Sequence, residues 1–179
     1  RDVAEGGCVW SSPHCISMRD AYRGIDVTTA VTAAEVYDDA YRGTGNWAFN
    51  VAYSGRLGLH GAVAYLDGLD RAQRLIERNL PVAISYSWSG DELPGAPLEQ
   101  SDGHLVVLCG FTSTGDCVVN DPAHPELRAV YPRAAIERIG QPNGGIAYVL
   151  APHAIPFAPV PPASGRPIPP VPHPAPPPN

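Results

Sequence analysis

Lysine is absent from this chain. All 12 basic residues are arginine, set against 18 acids for a net charge of −6. Without a basic cluster there is no phosphate-neutralising surface, so no nucleic-acid partner is expected. Long apolar runs are missing too: none approaches the ~20 residues that cross a bilayer, so no membrane span is expected. No Cys-x-x-Cys or His-x-x-x-His pair occurs, which disfavours zinc, and no other metal or cofactor is expected. Methionine occurs once, at Met18, and a chain opening at Arg1 is expected to be a processed protein or a fragment.

What is abundant is proline, 21 residues, concentrated at one end. From Ala154 the chain reads AIPFAPVPPASGRPIPPVPHPAPPPN. Proline locks φ and donates no amide hydrogen, so this stretch is expected to be an extended tail or linker outside any sheet or helix. A proline-recognising partner is the sharper alternative. The expected division is a domain over 1–152 and a proline-rich tail over 153–179. About 150 residues suffice for one buried core.

Four cysteines allow three pairings. The local one, Cys8 with Cys15 and Cys109 with Cys117, is favoured, because TSTGD joins the two apolar runs carrying Cys109 and Cys117 as a hairpin.

Helical signals come first. Pro13 suits a first turn, with Ser11 or Ser12 as N-cap and Gly24 as stop. A second helix is expected from Thr28 to Gly43, and a loop or short helix over GTGNWAFNVAYSGRLGL. Asp70 and Gln73 resemble a capping box opening DRAQRLIERN, which Pro81 ends. Strand signals follow: Val82 to Trp88 alternates as a half-buried strand, and HLVVLCGF and CVVND make the hairpin. Ala129 to Tyr131 and Gly145 to Leu150 are further strands, with a short helix PRAAIERI between them. Helices followed by an antiparallel sheet make an α+β plan.

The hairpin brings two reactive residues to one open end. His104 opens its first strand and Asp121 closes its second, so an aspartate can fix the tautomer of a histidine and raise its basicity, as a general base requires. A surface histidine beside an Asp-Pro turn is the plainer reading of the same residues. At the other end of the chain Ser11 begins a helix, where unpaired amide hydrogens and the helix dipole favour a nucleophile and its anions. A helix cap is the plainer reading there.

The stretch VWSSPHCISMRDAYRG resembles the nucleophile helix of secreted bacterial cysteine peptidases of the C39-like, bacteriocin-processing-peptidase-like group. The likeness continues through YDDAYRGTGNWAFNVAYSGRLGLHG, GHLVVLCGFTSTGDCVVNDPAHPE and VYPRAAIERIGQPNGGIAYVL, covering nearly everything from Cys8 to Leu150. It implies a papain-like fold, peptide or amide bond cleavage, a peptide or protein ligand, and a secreted or cell-envelope location. It assigns His104 as base and Asp121 as its orienting acid.

Ser11 stands where the family has its nucleophilic cysteine. Other departures surround it: His14, Cys15 and Ile16 replace small hydroxylated residues, and Arg19 and Asp20 replace apolar ones. No glutamine precedes Ser11 to line an oxyanion hole. Cys15 lies about 6 Å further along the helix, too far to share a base placed for residue 11. Because serine must lose its proton as it attacks, the site is expected to be impaired or inactive as written. The alternatives are a pseudopeptidase that binds a peptide without cutting it, and a structural module.

Overall fold

The structure is a computed structural model that describes residues 10–126, 128–140 and 145–152. Cys8 and the proline-rich segment 153–179 lie outside the described residues. Among the described residues, five helices and six strands follow in the order α1 (Ser11–Tyr22), α2 (Thr29–Val36), α3 (Trp47–Arg56), β1 (Leu59–Tyr65), α4 (Leu69–Glu77), β2 (Val82–Trp88), β3 (Ser101–Phe111), β4 (Cys117–Asn120), β5 (Arg128–Tyr131), α5 (Arg133–Gly140) and β6 (Ile146–Pro152). A short 3-10 turn, Gly90–Glu92, interrupts the long β2–β3 connection.

The strands form one antiparallel sheet in the order β1-β6-β2-β3-β4-β5. Two buried clusters lie against it. One joins Cys15 and Ile16 of α1 to Ala83, Leu105, Val107, Tyr148 and Leu150. The other joins α4 and α5 to Val82, Ile84, Val106, Leu108, Val119 and Val149. Alternate residues of β2 and β3 therefore meet opposite layers, which is why Leu105-Val106-Val107-Leu108 is an unbroken apolar run. For the same reason β2 is buried on both faces, and the half-buried strand expected from its alternation is corrected.

Capping departs from expectation in two helices. The N-cap of α1 is Trp10, which makes no side-chain cap, and Ser11 and Ser12 are its first two helical residues. Asp70 does not cap α4, which starts from Gly68; its carboxylate instead accepts from Arg133 Nη2 at 2.5 Å. Thr28 does cap α2, accepting from the Val31 amide at 3.3 Å, but that helix stops at Val36. The chain then turns back through a bridge between Asp38 and Gly43, held by the Asp38 carboxylate on the amides of Ala40 and Tyr41. Asn46 caps α3 through the Ala48 amide.

β1 has no counterpart among the expected strands. It pairs along its whole length with β6, some ninety positions later, from Leu59 opposite Pro152 to Tyr65 opposite Ile146. Gly61 lets α3 pack on it: a Cβ there would lie 2.6 Å from Val51 Cγ1 and 3.0 Å from the Val51 carbonyl oxygen.

The expected Cys109–Cys117 disulfide is also corrected, since both are free thiols. Cys117 is paired with Phe111, and a bulge between Leu108 and Gly110 sets Cys109 out of register with it. The Cys109 thiol donates to the Val118 carbonyl at 3.3 Å, while Cys117 is buried with Leu108 and Val119.

Candidate active site

The hairpin β3–β4 brings His104 and Asp121 together. Register pairs Val107 with Asn120, so the fourth residue of β3 and the residue just beyond β4 share the open end. His104 Nε2 lies 2.7 Å from Asp121 Oδ1, and the two residues are 1% and 0% exposed. With Nε2–H committed to the carboxylate, a neutral imidazole carries its acceptor lone pair on Nδ1. The carboxylate thereby fixes the tautomer that a base needs.

Asp121 is held from three sides. The Ala123 amide donates to Oδ1 at 2.8 Å, closing the turn at Pro122, and the Tyr131 hydroxyl donates to Oδ2 at 2.7 Å. Burial pushes this carboxyl up, but hydrogen bonds from His104, Tyr131 and Ala123 outweigh it and hold the pKa below the ordinary range. Tyr131 responds in the opposite sense: burial and then the Asp121 charge push its phenol up, keeping it a neutral donor. Tyr131 is a member of this network that sequence reasoning placed only as a strand residue. The available signal was its position, at the end of a short strand after an Asp-Pro turn, which is weak without a register.

Aromatic rings wall the histidine. Trp88 and Tyr86 on β2 meet it edge to face, with ring centroids at 5.7 and 6.2 Å. The Trp88 indole N–H is fixed by the Leu98 carbonyl at 3.3 Å.

Ser11 is the first residue of α1 and is 6% exposed. Because it caps nothing, the plainer reading of this serine as an N-cap is excluded. The helix packs against β3 and is tied down along its length. Ser17 Oγ donates to the Pro13 carbonyl at 2.9 Å and lies 3.0 Å from Thr29 Oγ1 on α2. Arg19 Nη2 donates to the Leu150 carbonyl on β6 at 2.5 Å. No hydrogen bond joins Ser11 to His104 among the described residues. The dyad is assembled, then, and Ser11 is on the neighbouring helix without contacting it through a hydrogen bond. Cys15 is fully buried in the cluster beneath α1.

The two charged departures on α1 are buried as well. Arg19 is 3% exposed and Asp20 0%, and neither Asp20 oxygen has a hydrogen-bond partner. Burial raises the Asp20 carboxyl to about 6 against the opposing charge of Arg19, and lowers Arg19 to about 9. Beneath the start of the helix the Tyr148 hydroxyl is buried close to Ser12 without a hydrogen bond of ordinary geometry, and burial pushes its pKa well up.

The family described as the Peptidase_C39 like family matches residues 4–141. The chain belongs to that family. Its fold is shared with solved structures at low identity. A protein described as a C39-like peptidase, from Bacillus anthracis, matches with a TM-score of 0.61 and 17% identity over 79% of this chain and 88% of its own. A double-glycine-motif protease from an AMS/PCAT transporter, solved with its leader peptide, matches with a TM-score of 0.56 and 16% identity over 84% and 89%. The peptidase domain of Streptococcus ComA, a bifunctional ABC transporter of a quorum-sensing pathway, matches at 0.56 and 14% over 84% and 96%. No curated protein matches. The α+β, papain-like architecture expected from the sequence is thus the observed one. No helix among the described residues is long and apolar enough to cross a membrane.

Proposed function

We propose that residues 1–152 form a peptide-bond hydrolase domain of the cysteine-peptidase type, exported with 153–179 as a tail or linker. In this reading Ser11 occupies the nucleophile position, His104 is the general base and Asp121 orients it. The observation that carries the reading is the buried chain Tyr131–Asp121–His104, which leaves Nδ1 as the imidazole's acceptor.

The chemistry follows from those groups. A nucleophile at position 11 gives its proton to His104 Nδ1 and attacks the scissile carbonyl carbon. The oxyanion that forms is favoured near the unpaired amides of the first turn of α1. The C–N bond then breaks as His104 returns the proton to the departing amine, and water repeats the sequence to release the acyl group. A cysteine enters this cycle already ionised, whereas serine must be deprotonated during attack, so cleavage by the chain as written is slow or nil. The ligand class is a peptide, a reading supported by the likeness to a protease solved with its leader peptide.

A second reading has its own support. Ser11 makes no hydrogen bond to His104, and α1 carries the buried Arg19–Asp20 pair. Both suit a pseudopeptidase that keeps the groove and binds a peptide without cutting it. The two readings separate on one variant: a thiol placed at position 11 is activated by His104 under the first and behaves as a free thiol under the second.

A further inference from the structure

Beyond the dyad, β2 and β3 open on a cavity of about 260 Å³ that the chemistry above does not use. It is smaller than the usual small-molecule site and suits one long side chain. Its lining is mixed: Trp88 and Ile139 supply apolar surface, beside Ser87, Ser89 and Glu92 from the end of β2 and the 3-10 turn, Ser101 and Asp102 from the start of β3, and Arg138 from α5. Trp88 is common to the cavity and the dyad, lining the one and meeting the His104 ring at 5.7 Å in the other. Asp102 stands two residues before His104 on the same strand.

The charges are unevenly committed. Arg138 Nη2 donates to the backbone carbonyl of Glu92 at 2.8 Å, and its charge acts on the Glu92 carboxylate without forming an ion pair. The Glu92 carboxylate accepts from the Ser89 amide at 2.9 Å and from the Ser89 hydroxyl at 3.2 Å. Asp102 has neither a hydrogen bond nor an ion pair through its carboxylate among the described residues. The Asp102 carboxylate thus adds a negative charge to the lining with no cation in hydrogen-bond contact with it, next to Ser101, whose hydroxyl already accepts from the Gly103 amide. A cationic side chain satisfies it, and an anionic one would meet two carboxylates against one engaged arginine.

We propose that this cavity is a side-chain pocket of the peptide site and selects an arginine or lysine of the bound peptide through Asp102. The inference rests on the peptide-binding reading and names the residue class that the site takes. Its position beside Trp88 puts the selected side chain within a few residues of the bond facing His104.

The test uses the full chain with its native Ser11 and three probes: the methylamides of N-acetyl-arginine, N-acetyl-citrulline and N-acetyl-glutamate. Citrulline keeps the shape of arginine without its charge. The readout is the shift of the Trp88 indole N–H resonance on titration. The arginine probe is expected to bind about tenfold more tightly than citrulline, the value of one charge-assisted hydrogen bond. Asp102→Asn should abolish that difference, and Asp102→Arg should turn the preference to glutamate; Asp102 is exposed, so neither change disturbs the core. Equal binding of arginine and citrulline, preference of the native chain for glutamate, or no shift at Trp88 with any probe each overturns the proposal. Arginine selectivity in a chain whose residue-11 thiol is inert would sink the hydrolase reading and leave the pocket standing. An activated thiol without arginine selectivity would do the reverse.

Discussion

The Tyr131 hydroxyl donates to Oδ2 of Asp121 at 2.7 Å, the carboxylate oxygen that His104 does not use. One carboxylate thus joins a phenol, an imidazole and a backbone amide inside a buried site. Tyr131→Phe removes one donor and leaves the ring that packs with Val119 and Ala135. The expected cost is about 1.5–3 kcal/mol in urea unfolding, the range for a hydrogen bond to a charged acceptor. A change within error would mean that Oδ2 does not depend on Tyr131.

Asp121 also makes stability depend on pH with a definite sign. Its folded pKa is depressed, so its contribution is present above the unfolded value of ~3.9 and is lost as pH falls through the folded one. Asp121→Asn should flatten that acid limb of a urea-midpoint profile between pH 2 and 7, as well as lowering stability at neutral pH. A variant with the native acid slope would contradict this assignment.

Asp20 has the opposite sign. Its folded pKa is raised to about 6, so its contribution is present below ~3.9 and lost as pH rises through 6. Near pH 8 the unpartnered charge destabilises α1. Asp20→Asn cannot ionise, and should be the more stable protein at pH 8 by about 2 kcal/mol, with the gap closing towards pH 4. Equal slopes for the two proteins over that window would show that Asp20 finds a partner.

The thiols of the hairpin give a chemical check. Cys109 and Cys117 are unbridged, and burial pushes the Cys117 thiol up to about 12. In the folded protein at pH 8 Cys117 should resist alkylation, and unfolding in urea should expose it. Mass mapping under non-reducing conditions should recover both as thiols; a Cys109–Cys117 bridge would refute the register.

Much of this fold was legible because its signals are local. Turn residues at TSTGD and Asp121-Pro122 bracket two apolar runs, and that was enough to put His104 and Asp121 at one end of a hairpin. β1 was not legible, since its partner is β6 at the far end of the domain and a glycine interrupts its pattern. Tyr131 was missed for a related reason: it reaches Asp121 only through the β4–β5 register. The caps at Ser11 and Asp70 failed where tertiary partners won. Asp70 is taken by Arg133, and α1 starts from Trp10 without a side-chain cap, held by packing along the helix and by Arg19 of its last turn on Leu150. The Cys109–Cys117 pairing failed on a bulge, which moves one residue out of step and leaves no trace in composition.

The central claim is that the base still serves position 11. Its most direct measurement is the alkylation rate of the Ser11→Cys thiol against pH, set against the native chain to subtract Cys8, Cys15, Cys109 and Cys117. An unperturbed thiol titrates near pH ~8.5. The account predicts reactivity several units below that, as for a thiolate–imidazolium pair, and its loss in the same variant carrying His104→Ala. A thiol that titrates near ~8.5 in both proteins would contradict it, and would leave the dyad without a nucleophile to serve.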